Sequence, residues 1–90
     1  MIMDMLEMYF SEYEEEAWNR YASCFEDVNI QIDGVPQEIV NAIFTNLGDT
    51  TGYDWLQKPL HKFYGKSAVE LLKSKKGEKA LKAFIMSLPN

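Results

Sequence analysis

The chain has 90 residues, 47% hydrophobic and 13% aromatic, which is enough apolar material for one packed domain and too little length for two. No apolar run approaches the roughly 20 residues that span a bilayer, and the acidic start MIMDMLEMYF lacks the basic region of a secretory leader, so a cytoplasmic protein with no membrane partner is expected. The net charge of −5 hides an uneven distribution: residues 1–50 hold eleven acids and one base, Arg20, whereas residues 51–90 hold eight lysines and three acids. The first part repels nucleic acid and the second lacks the arginine fork that reads base edges, so no direct nucleic-acid partner is expected either.

In chain order, Leu6, Phe10, Tyr13, Ala17, Tyr21 and Phe25 recur at spacings of three or four without Gly or Pro, which predicts one helix over residues 3–26. Trp18 sits at the edge of that stripe and is expected in the core. Cys24, beside Phe25 and without a neighbouring base, is expected as a buried, inert thiol. The run Glu14-Glu15-Glu16 has two readings, a solvated helix face or an acidic patch that meets a basic partner.

Residues 28–33, VNIQID, alternate like a strand, but no second strand pattern exists to pair with them. They are read as an extended connector that lays Val28, Ile30 and Ile32 on the helices. Gly34 and Pro36 then break the chain, and a helix over Pro36–Leu47 follows with Ile39, Val40, Ile43, Phe44 and Leu47 inward and Gly48 as its stop. Asp49, Thr50 and Thr51 are placed to cap a short helix through Trp55 and Leu56 that must end before Pro59. Ser67-x-x-Glu70 has the spacing of a capping box, and Val69, Leu71 and Leu72 follow as core. The run Lys73–Gly77 is read as a turn. A last helix then takes Ala80, Leu81, Phe84, Ile85 and Leu88 inward, with Lys79 and Lys82 outward. The expected fold is therefore mainly α, a single small domain of four to five helices: an acidic N-terminal helix and connector over residues 1–35, and a helical region over 36–90.

Motifs for chemistry do not assemble. One His and one Cys fall short of a zinc site, so no metal or cofactor is expected. His61 lies in a turn with no nucleophile motif around it, and is expected as a surface or hydrogen-bonded side chain. Gly65-Lys66-Ser67 looks like the end of a phosphate loop, but position 60, where the earlier glycine belongs, is Leu60. Residues 36–56 could be read as a helix-turn-helix, yet its second helix, TGYDWLQ, carries Asp54 and no base. The chain is expected not to be an enzyme.

Residues 39–88 carry a longer pattern. Ala42, Phe44, Gly48 and Asp49 are followed by Trp55, Leu56 and Pro59, then Gly65, Lys66 and Ser67, then Glu70, Leu71 and Leu72, and finally Gly77 before a helix through Leu81 and Ile85. This order resembles the toxin-binding C-terminal region of the MbcA, ParS and Xre antitoxins. Ala68 replaces the usual Pro, residues Thr45 to Leu47 stretch the Phe-Gly element, and the acidic N-terminal helix stands where the family carries a basic DNA-binding unit, so a promoter-binding role does not carry over. In that likeness the motif residues Trp55, Leu71 and Leu72 are expected in the core. The resemblance implies a binding module that neutralises a toxin enzyme, in the family one that consumes NAD, through the C-terminal helix and tail. By position these are Lys79, Lys82, Met86, Pro89 and Asn90. The alternative is a small acidic inhibitor, of the kind phages use, that meets a basic nucleic-acid-handling protein through Glu12, Glu14, Glu15, Glu16, Glu26 and Asp27. The aromatics of the first helix leave room for a homodimer.

Overall fold

The computed structural model describes residues 4–87, apart from the side chain of Lys62. Among them the chain forms six α-helices and one 3-10 turn, with no strand: α1 Met5–Glu12, α2 Glu15–Ala22, α3 Gln37–Leu47, α4 Asp49–Gln57, the turn His61–Phe63, α5 Ala68–Leu71 and α6 Lys75–Met86. The mainly helical expectation holds. No helix of the described residues is long and apolar enough to cross a membrane.

The single N-terminal helix predicted over residues 3–26 is two helices. Tyr13 (φ −63, ψ 134) and Glu14 (φ −136, ψ 121) are extended and separate α1 from α2. The reason lies in what must be buried. Tyr9 is 8% exposed and Trp18 is 1% exposed. These two stand nine residues apart, so on one straight helix, turning roughly 100° per residue, they would face opposite ways. Breaking the helix lets both side chains reach the core, and it leaves Phe10, central to the expected stripe, 36% exposed.

Local chemistry fixes the helix ends. Asp4 Oδ1 accepts from the Glu7 amide at 2.8 Å, which satisfies a free donor at the start of α1. Gly48, at φ 84, closes α3 through its amide to the Phe44 carbonyl and at once starts α4, its own carbonyl accepting from Gly52. Asp49, Thr50 and Thr51 lie within the first turn of α4 and supply no side-chain cap. The capping box on α5 forms as the spacing predicts, Ser67 Oγ accepting from the Glu70 amide and Glu70 Oε1 from the Ser67 amide. A second Ser starts α6: Ser74 Oγ accepts from the Gly77 amide at 3.0 Å, so Lys75–Gly77 belong to that helix and not to the turn before it.

The connector is held by α3. Val28, Ile30 and Ile32 are half-buried while Asn29, Gln31 and Asp33 are exposed, as the alternation predicts. Asn41 Oδ1 accepts from the Val28 amide at 3.2 Å and from Gln37 Nε2 at 2.9 Å, and Gln37 Nε2 also donates to the Ile30 carbonyl at 3.1 Å. These bonds do for the connector's backbone what a partner strand would have done.

The core gathers Ile39, Val40 and Ile43 of α3, Leu56 of α4, Leu71 of α5 and the inner face of α6, with Trp18 closing one side. Tyr9, Phe63 and Phe84 form an aromatic triad with ring centroids 5.4 to 5.7 Å apart, which ties α1 and the 3-10 turn to α6.

Candidate functional site

Two faces of α6 stand out, one packed against the N-terminal helices and one beside an open groove. Along its N-terminal two-thirds, α6 meets the N-terminal helices through a row of lysines over aromatic rings. Lys76 Nζ lies 5.4 Å from the Phe10 ring centroid, Lys79 Nζ 5.9 Å from that of Tyr13, and Lys82 Nζ 5.3 Å from that of Trp18. Lys76 also pairs with Glu7, and Lys82 lies 3.1 Å from Glu78 one turn earlier. The acidic and basic parts of the chain are thus joined along this seam.

The seam changes the reading of the expected partner-binding residues. Lys82, expected outward, has a side chain only 11% exposed, because α2 brings Trp18 over it. Lys79 is exposed, but its ammonium is engaged with Tyr13; Met86 is half-buried. Pro89 and Asn90 lie outside the described residues. Tyr13 itself sits among charges: burial pushes its phenol above the ordinary value of 10.0, Lys82 opposes that push, and Glu15, Glu78 and Glu38 add to it.

At the other end of α6 is an open groove of about 580 Å³, lined by Trp55, Lys58, Pro59, Leu60, His61 and Phe84. Pro59 creates it. The ring ends α4 at Gln57, and the chain then turns back on itself, the Leu60 amide donating to the Lys66 carbonyl at 3.0 Å and the Gly65 amide to the Leu60 carbonyl at 3.0 Å. This clasp buries Phe63 and leaves His61 exposed at the rim. Trp55, expected in the core, is half-buried instead: it stacks on Phe84 at 6.2 Å and 10° and offers the rest of its ring to the groove.

The six acidic residues singled out above are all exposed. Glu12, Glu14, Glu15 and Glu16 cluster at the break between α1 and α2, whereas Glu26 and Asp27 follow α2. Asp27 Oδ1 accepts from the Asn29 amide at 2.8 Å, and none of the six forms an ion pair among the described residues.

Cys24 corrects another expectation. It is exposed, because α2 ends at Ala22 and the following turn carries Cys24 outward, while Phe25 packs back on Tyr21 at 5.0 Å. Among the described residues no group of three His, Cys, Asp or Glu side chains is placed to hold a metal ion. No family model, curated protein or solved structure matches the chain.

Proposed function

We propose that this protein is a non-catalytic binding module, antitoxin-like, that neutralises a partner toxin enzyme through its C-terminal helix and tail. The observation that carries this reading is the groove, where Phe84 of α6 meets Trp55 and Pro59. Both Trp55 and Pro59 belong to the motif on which the antitoxin resemblance rests, and an exposed apolar concavity beside the C-terminal helix is what a partner-binding role requires. The lysine seam supports the same assignment indirectly: it holds one face of α6 against α1 and α2, so binding by this helix uses its C-terminal end.

The test is coexpression with the enzyme encoded by the adjoining gene. A stable complex and loss of that enzyme's NAD consumption are expected. A chain ending at Ser87 keeps all the described helices and removes the tail; if it folds, by circular dichroism, and inhibits as well as the full chain, the tail has no part in binding.

A second reading is favoured by the unpaired carboxylates at the α1–α2 break: an acidic inhibitor that presents Glu12, Glu14, Glu15 and Glu16 to a basic nucleic-acid-handling protein. Changing Glu14, Glu15 and Glu16 to Lys then abolishes the complex. Binding that survives this reversal at low salt rules the acidic reading out.

A further inference from the structure

We propose that the groove between α4 and α6 takes a short segment of a partner protein in which an apolar side chain is flanked by carboxylates, the apolar group resting on Trp55, Pro59 and Phe84 and a carboxylate meeting Lys58. The inference rests on the binding-module reading and names the chemistry of what is bound.

The floor comes first. Trp55 and Phe84 stack with their planes 10° apart, and Pro59 and Leu60 form the adjoining wall, so the surface that water must leave is almost wholly apolar. A volume of about 580 Å³ lies in the range that holds a ligand-sized group.

The rim decides the charge of the occupant. Lys58 and His61 are the ionisable residues lining the groove, and no carboxylate lines it among the described residues. Lys76 and Lys82 are paired with Glu7 and Glu78, whereas Lys58 forms no ion pair among the described residues. Asp54, one turn earlier on α4, is exposed and does not pair with it. Lys66, on the far side of the clasp, is exposed as well. An apolar floor with the Lys58 ammonium at its rim is complementary to an apolar anchor carrying negative charge beside it.

The clasp also displays an aromatic side chain. Tyr64 stands at its tip at φ 57, a left-handed conformation that costs a non-glycine residue about 1 kcal/mol. The residue is 73% exposed. A protein segment fits better than a nucleic acid, since the groove lining holds no arginine and a single lysine.

The two tryptophans make the test direct. In an amide-correlation NMR titration of the full chain, the indole N–H of Trp55 reports the groove, and that of Trp18, buried and donated to Glu38 Oε1 at 3.2 Å, serves as an internal control. Three unlabelled synthetic peptides are compared: Trp-Leu between glutamates, the same peptide with lysines for glutamates, and the first with Ser-Ser for Trp-Leu. The first peptide moves the Trp55 signal and leaves that of Trp18, the other two bind at least about tenfold more weakly, and Lys58→Glu removes the preference for the acidic peptide. An unmoved Trp55 signal, or equal response to acidic and basic peptides, overturns the proposal. So does a Trp55 shift on diluting the protein alone, which would make a second copy the occupant. A toxin complex indifferent to Lys58→Glu would sink this inference and spare the antitoxin reading. Peptide binding without any complex with the neighbouring enzyme would do the reverse.

Discussion

Gly77, in the first turn of α6, lies directly against the backbone of Leu71 at the end of α5. A Cβ built on it would overlap the Leu71 carbonyl oxygen and stand 2.9 Å from the carbonyl carbon. The glycine is there for closeness: Ser74 caps α6 through the Gly77 amide, and that geometry brings the helix start under the last turn of α5. Because the obstacle is backbone, neither partner can swing aside.

Gly77→Ala should therefore destabilise the fold by about 2 kcal/mol or more, with a fall in Tm of roughly 10 °C for a domain of this size. Gly52→Ala is the informative comparison. There the atoms nearest the new methyl belong to the Phe44 ring, at 3.0 Å, a side chain that can tilt, so a smaller loss is expected in the same thermal melts.

Lys82 and Trp18 should be energetically coupled. The Lys82 side chain is largely desolvated between the indole and Glu78, so its attraction to the ring is screened less than at the surface. A double-mutant cycle with Lys82→Met and Trp18→Leu should give a coupling of about 1 to 2 kcal/mol in urea denaturation. The Lys76–Glu7 pair, with both side chains over 40% exposed, should give only a few tenths of a kcal/mol and lose it in salt.

The elements legible in the sequence are those whose signal is local. Gly48 and the Ser67-x-x-Glu70 box mark helix ends by backbone chemistry alone, and the apolar positions of α3 are spaced for one buried face. The break after Glu12 was not legible, since Leu6, Phe10 and Tyr13 suit an unbroken helix; only the joint burial of Tyr9 and Trp18 forbids it. Everything downstream of that break moved with it. Trp18 came to lie over Lys82, which turned an expected contact residue inward, and the early end of α2 put Cys24 outside. The groove was invisible for a related reason. Trp55 reads as core from its neighbours, and its open face depends on how far Phe84 of α6 covers it.

The connector should depend on Asn41. Replacing it by Ala removes the acceptor for the Val28 amide and for Gln37 Nε2, at a cost of about 1 to 2 kcal/mol. Hydrogen exchange locates the effect: the Val28 amide should lose protection, while amides in the middle of α3, such as that of Ile43, change only in proportion to global stability. Equal loss at both would mean that the connector has no independent anchorage.

Tyr13 should make the protein sensitive to alkali. Burial raises its phenol above 10.0, so the folded chain holds that proton more tightly than the unfolded chain does. The unfolded state ionises first as pH climbs past 10.0, and the stability tied to the neutral phenol, intact below that point, is lost as pH rises through the folded-state value. Lysines titrate in the same range, so the Tyr13 share is isolated by difference. Urea midpoints of wild type and Tyr13→Phe should run parallel up to about pH 9, and the wild type should fall relative to the variant above about pH 10, where the variant has no phenol to ionise. Curves that stay parallel throughout would mean the phenol is as free to ionise in the folded chain as in the unfolded one.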